Sequence, residues 1–219
     1  MTTAIIPTRL NTIQLPPGTK LQLQPVSWQQ FESILQELGD SRATRISYGR
    51  GVLEIKMPSK LHEIINRLLA KIIFTLAEEL NLEIVDLGST TLSRQDLDQG
   101  IEPDTCFYIQ NAALVQGLNP DIPDTLPPDL AVEVDISNKS DSKLSIYQAL
   151  GVTEVWLYQQ KEGVKINLLQ EGKYRQANVS RALPIVNVDL LSQWLRLRET
   201  HTDLAVVRVV RQFCRENKG

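Results

Sequence analysis

The chain predicts an α/β domain built around a mixed β-sheet. Three observations carry that prediction. One stretch of twenty residues holds an unbroken apolar stripe of helical period. Several short runs rich in branched and aromatic residues are punctuated by glycine and proline. Residues 130–158 read as strand, helix and strand with short connections, the pattern of parallel strands joined by a right-handed crossover.

Taken in order, residues 1–26 form an N-terminal arm, irregular by its prolines at Pro7, Pro16, Pro17 and Pro25. A single domain follows over 27–219, with helices at its C-terminal end. Ser27 and Gln30 make a capping box. Phe31, Ile34, Leu35 and Leu38 then recur at helical spacing until Gly39-Asp40. Arg45–Tyr48 and Val52–Met57 flank Gly49-Arg50-Gly51, which is hairpin chemistry. Pro58-Ser59 opens the longest helix. Its stripe of Leu61, Ile64, Ile65, Leu68, Leu69, Ile72, Ile73, Leu76 and Leu80 belongs in a core, and Asn81 closes it.

Leu82–Leu87 reads as a strand ending at Gly88, and Glu102–Ile109 as another after a turn at Asp96–Gly100. Four prolines in the ten residues from Asn119 to Pro128 make a loop. Leu130–Ser137 is a strand, Ser140–Leu150 a helix capped by Gly151, and Glu154–Tyr158 a strand. Val164–Leu169 and Lys173–Gln176 pair around Glu171-Gly172. Helices follow near Asp189–Arg198 and Asp203–Arg215.

Several function classes lack their raw materials. No apolar stretch reaches the roughly 18–20 residues of a membrane span, and the N-terminus has no basic segment ahead of its brief apolar one. Cys106 and Cys214 stand far apart and outside any CxxC pair, which argues against a disulfide scaffold or zinc site and predicts a cytoplasmic protein. Two histidines, His62 and His201, are too few for histidine-based metal ligation. The net charge of −3 does not advertise a polyanionic partner. The basic residues are concentrated, however. Arg42, Arg45, Arg50, Lys56 and Lys60 face Glu54 alone between residues 41 and 60, a local surface suited to nucleic acid or simply a solvated hairpin.

The most informative residue is Glu133, in the apolar run Asp129-Leu-Ala-Val-Glu-Val-Asp-Ile-Ser137. A buried charge costs several kcal/mol unless it is paired or bound to a cation. Side chains alternate along a strand, so Ala131, Glu133, Asp135 and Ser137 share one face and Leu130, Val132, Val134 and Ile136 the other. Pro103-Asp104 precedes Glu133 by 29 positions. If the two strands are neighbours in register, Asp104 and Glu133 converge. Adjacent carboxylates repel, and one protonates unless a cation sits between them. Mg²⁺, with Mn²⁺ as its substitute, suits one or two carboxylates, water and a substrate phosphate. Lys143, ten residues after Glu133, can reach back to hold a water or stabilise developing charge. Read alone it is a helix-surface lysine, as Lys139 is a turn lysine.

These residues also carry a resemblance. Pro103-Asp104, the run Pro128–Ser137, Lys143-Leu-Ser-Ile-Tyr147 and Gly151-Val-Thr-Glu-Val-Trp-Leu-Tyr158 resemble the Uma-two-type restriction endonuclease family, of the PD-(D/E)xK nuclease superfamily. Gly51-Val-Leu-Glu54 through His62-Glu63 is similar to that family's N-terminal part, and the likeness runs from about residue 27 to 195. It implies a restriction-endonuclease-like fold, a central mixed sheet flanked by helices. It implies Mg²⁺-dependent endonucleolytic hydrolysis of DNA, with Asp104 and Glu133 holding the metal and Lys143 positioning the attacking water. Asp135 stands where the superfamily lysine would, as a further acidic ligand. Glu63, in the first turn of the long helix, is either a fourth ligand or a charge suited to a helix N-terminus.

Other residues read more plainly. His62 is structural or solvated; Tyr147 and Trp156 are core. Arg208, Arg211 and Arg215 make a basic stripe on the last helix, opposite Val206, Val209, Val210 and Phe213, which offer a homodimer contact. The rival function is a catalytically inactive nucleic-acid-binding or regulatory module on the same fold.

Overall fold

The computed structural model describes residues 14–39, 42–136 and 141–217. Five helices and two sheets are built from them. The first strand, β1 (Lys20–Leu23), lies within the segment expected to be irregular. Its alternating Lys-Leu-Gln-Leu pairs antiparallel with β3, which lets Leu21 and Leu23 pack under the following helix.

That helix, α1 (Trp28–Leu38), has the anticipated capping box: the Ser27 hydroxyl accepts from Gln30 N and the Gln30 side chain accepts from Ser27 N. Strands β2 (Arg45–Gly49) and β3 (Val52–Lys56) form the hairpin. Its two-residue turn holds Arg50 at φ 54° and Gly51 at φ 74°, the twist-matched hairpin geometry. The long helix α2 (Lys60–Leu80) runs from a Ser59 cap to Asn81 in the left-handed region. Leu68, Leu69, Ile72, Ile73 and Leu76 on it are wholly buried, each contributing about 1.5–3 kcal/mol by removal from water.

Next come β4 (Val85–Gly88), two strands not anticipated, β5 (Leu92–Arg94) and β6 (Gln99–Ile101), and β7 (Thr105–Tyr108). The strand, helix and strand that follow are β8 (Leu130–Asp135), α3 (Asp141–Leu150) and β9 (Glu154–Gln159), with β8 and β9 parallel. Strands β10 (Gly163–Gln170) and β11 (Lys173–Ala177) complete the sheets, ahead of α4 (Val188–Leu197) and α5 (Asp203–Asn217). Ser137, Lys139 and Ser140, read as strand end, turn and helix start, lie outside the described residues, as does Asp40.

The large sheet is mixed, in order β11-β10-β9-β8-β7-β4, with β8–β9 its parallel pair. One face packs on α2, α4 and α5 through Phe107, Leu130, Val132, Val134 and Trp156. The opposite face carries Cys106, Ala131 and Val155, covered by Ile146, Tyr147 and Leu150 of α3. This is the expected mixed sheet with flanking helices. Beside it stands a second, antiparallel sheet in order β1-β3-β2-β6-β5. Its apolar face rests on α1, where Phe31 stacks on Tyr48 with ring centres 4.6 Å apart. Gly100 of β6 has no room for a side chain, because a Cβ there would lie 2.6 Å from the Phe31 ring.

The α5 face expected to make a dimer contact is largely spent inside the chain. Val206 and Val210 are fully buried in the main core and Phe213 packs edge-on to Trp194. Arg211 and Arg215 pair with Glu78 and Glu79 of α2 rather than forming an open basic stripe. Among the described residues, no helix is long and apolar enough to cross a membrane.

Candidate functional site

The site grows out of strand register. β7 and β8 run antiparallel with Thr105 opposite Val132, so one step further places Asp104 opposite Glu133. Asp104 extends the ladder past the end of β7. Its backbone N–H donates to Val132 O at 3.2 Å, and its carboxylate Oδ2 accepts from Val134 N at 2.7 Å. Both carboxylates are buried, each 2% exposed. The expected alternation on β8 holds, with Val132 and Val134 facing the main core and Ala131 the other side.

Two residues of α2 clamp Asp104. From the first turn of α2, His62 Nε2 stands 2.8 Å from Asp104 Oδ2. One turn on, Asn66 Nδ2 donates to the Asp104 carbonyl at 3.0 Å. Asp104 Oδ1 is buried and has no hydrogen-bond partner among the described residues. Glu133 is held from α3. Lys143 Nζ donates to Oε2 at 2.7 Å and the Tyr147 hydroxyl donates to Oε1. Positions 143 and 147 are one turn apart on α3, so one helix face delivers both donors. Lys143 is buried, not a surface lysine.

A second lysine arrives from the small sheet. Lys56, at the end of β3, donates from Nζ to the Val134 carbonyl at 2.8 Å, tying the two sheets together beside Glu133. Sequence alternation along β3 places Lys56 with Val52 and Glu54, opposite buried Leu53 and Ile55. That signal gives its face but not the strand it meets.

The electrostatics divide the two acids. Burial alone would raise both. At Asp104 the contact with His62, together with the charges of Lys56 and Lys143, overcomes it and holds the carboxyl well below the ordinary carboxylate range. At Glu133 burial prevails, reinforced by Asp104 and opposed by Lys143 and Lys56, so its pKa is raised. For Lys143, burial works against the charge, but Glu133 and Asp104 outweigh it and keep the ammonium protonated. Burial beside Glu133 likewise raises the Tyr147 hydroxyl well above its usual value.

The structure thus brings Asp104, Glu133 and Lys143 together. Asp135 is buried at the end of β8 on Glu133's side of the strand. Glu63 sits farther out, 39% exposed at its side chain, with Oε1 3.5 Å from His62 Nδ1 and Oε2 3.8 Å from Arg67. Among the described residues, no group of three or more His, Cys, Asp or Glu side chains could hold a metal ion. A facing pair still fits Mg²⁺, which leans on one or two carboxylates and takes its remaining ligands from water and phosphate. The partnerless Asp104 Oδ1 is the kind of atom such a cation satisfies.

His62, Lys56 and the Tyr147 hydroxyl were not assigned to the site from sequence. His62 lies beside Glu63 on a helix whose approach to Asp104 depends on packing. Tyr147 was read as core, and it is buried as well as bonded to Glu133.

No curated protein matches this chain. Among solved structures, the chain is similar to "a putative nuclease belonging to DUF820 from Anabaena variabilis ATCC 29413". That match has a TM-score of 0.51 and 17% identity, covering 87% of this chain and 99% of that one. At that identity the likeness speaks for the fold. The match to the family described as "Uma2: Putative restriction endonuclease" runs over residues 28–200 and takes in the large sheet, every strand of the small sheet except β1, the carboxylate pair and Lys143. The chain belongs to the Uma2 family.

Proposed function

We propose that the chain is a Mg²⁺-dependent endonuclease that hydrolyses phosphodiester bonds of DNA, with Mn²⁺ able to replace Mg²⁺. The observation that carries this reading is the cross-strand pair Asp104–Glu133 with the Lys143 ammonium 2.7 Å from Glu133. Asp104 Oδ1 and Glu133 would hold the cation. A divalent ion so held polarises the phosphoryl group and lowers the pKa of a bound water.

The rest is the work of the chain's own groups. His62 and Val134 N occupy Asp104 Oδ2 and leave Oδ1 open. Tyr147 and Lys143 fix the Glu133 rotamer from one helix face. Lys143 donates one of its three N–H bonds to Glu133, and the others are suited to steady the attacking water or the charge growing on phosphoryl oxygens. Lys56 adds a second positive charge at the same place.

The second reading, an inactive nucleic-acid-binding module, has one observation in its favour: Glu133 already has a donor on each oxygen. The two readings separate on cation uptake and cleavage of supercoiled plasmid with Mg²⁺ or Mn²⁺. An active site takes up Mn²⁺ and nicks or linearises plasmid, and Asp104→Asn and Glu133→Gln abolish both. Cleavage retained in both variants would falsify the assignment. Indifference of the wild type to divalent ions, with no cleavage, selects the inactive module.

A further inference from the structure

The basic residues of the β2–β3 hairpin are arranged in a particular way. Lys20, Lys56 and Arg45 are direct partners across β1, β3 and β2, so the three cations form one row on the small sheet. The row lies on the face away from Ile46, Tyr48, Leu53 and Ile55, which pack under α1. Like charges directly opposite on antiparallel strands destabilise a sheet. Glu54 relieves Lys20 at 2.7 Å. The other two diverge. Lys56 reaches to Val134 beside the carboxylate pair. Arg45 bonds only weakly to its neighbouring carbonyl, Thr44 O at 3.3 Å, and its Nε is buried without a partner among the described residues.

Beside Arg45 opens a cavity of about 460 Å³, with Thr44, Ser89 and Thr90 in its walls. Its acid, Glu102, is already committed. Arg42 and Thr91 donate to Oε1, and Ile46 N donates to Oε2 at 3.0 Å. Glu102 precedes Asp104 by two residues, so the chain that lines the cavity leads directly into the carboxylate pair. The Thr90 hydroxyl is spent on Leu87 O at 2.8 Å, which leaves the Arg45 guanidinium with the Thr44 and Ser89 hydroxyls to receive an anion, and arginine suits phosphate in particular.

We propose that Lys56 and Arg45 form a track for the backbone phosphates of a DNA strand, running from the Asp104–Glu133 pair to this cavity. Cross-strand partners stand about 5 Å apart at Cα, and diverging lysine and arginine arms serve two phosphates rather than one. The track neutralises the repulsion that the row otherwise carries. This inference rests on DNA being the substrate, and it assigns the surface that grips the strand.

The test is binding of a fluorescently labelled DNA duplex in EDTA, followed by anisotropy over a range of salt concentrations. Each lost phosphate contact lowers the slope of log K against log [salt] by about 0.9. Arg45→Gln should lower the slope by that amount on any DNA sequence, Arg45→Lys should retain it, and Lys56→Gln combined with Arg45→Gln should lower it by about twice as much. Thermal melting shows that each variant is folded. An unchanged slope in a folded Arg45→Gln/Lys56→Gln protein overturns the track. Plasmid cleavage measured alongside separates the two proposals: cleavage with an unchanged slope removes the track and keeps the nuclease, and the predicted slopes without cleavage do the reverse. A wild type that binds no duplex in EDTA removes the track, and plasmid cleavage then decides the nuclease.

Discussion

Glu133 on β8 and Glu154 on β9 are both almost fully buried, in adjacent parallel strands, and they are held in opposite ways. Glu154 accepts three hydrogen bonds from neutral donors: Trp156 Nε1 at 2.5 Å, Arg181 N at 2.8 Å and Ala182 N at 2.9 Å. Two of those donors are backbone, so the carboxylate staples the segment after β11 onto the sheet. Glu133 instead faces another carboxylate and is held by a charged lysine and a tyrosine hydroxyl. Burial of an acid in an apolar strand marks neither structure nor function. The identity of its donors does.

The largest expected effect follows from removing Glu133. Glu133→Ala should abolish cleavage and, by leaving Lys143 buried and unpaired, cost about 3–5 kcal/mol. Adding Lys143→Met should recover much of the stability and none of the cleavage, as read by urea denaturation and plasmid nicking. Recovery of both would break the contrast.

Glu154→Ala should cost about 3 kcal/mol or more, since three buried donors lose their acceptor. Cleavage per folded molecule should be unchanged. A loss of cleavage in fully folded Glu154→Ala protein would place that residue in the site too.

Asp104 sharpens the comparison through pH. A carboxyl held below its usual value stabilises the folded state above its unfolded pKa of about 3.9. That contribution is lost as pH falls through the folded value, which here is lower. The wild type should therefore lose stability below about pH 4, and Asp104→Asn should lose less over the same interval. Equal losses in denaturation midpoints would show that Asp104 is not held in its charged form.

The smallest change is Tyr147→Phe, which removes one donor to a charged acceptor and should cost about 1.5 kcal/mol. Urea denaturation measures it, and a cost near zero would mean that Lys143 alone secures Glu133.

Much of this was legible in the chain because it is local. The capping box of α1, the stripe of α2, both glycine-marked hairpins and the β8–α3–β9 unit each sit within about thirty residues. The second sheet was not legible. β5 and β6 have three residues each, too few for a period to register, and β1 hides its alternation among prolines. At the candidate site, a charge inside an apolar run singled out Glu133, strand alternation set Asp135 beside it, and Lys143 followed from helix reach. Lys56 and His62 reach it through contacts between remote elements, and no spacing rule reports those.

Asp104 takes a ladder position with its side chain, accepting the bond from Val134 N that a neighbouring strand's carbonyl would otherwise take. Its distance from Glu133 is consequently set by sheet pitch, and changing that distance means unzipping the sheet. The two cations of the site come from separate parts, β3 and α3. For protein engineering this is a modular layout. The acids form a fixed chassis, while the small-sheet hairpin that delivers Lys56 is a separate fitting whose exchange changes the charge beside them.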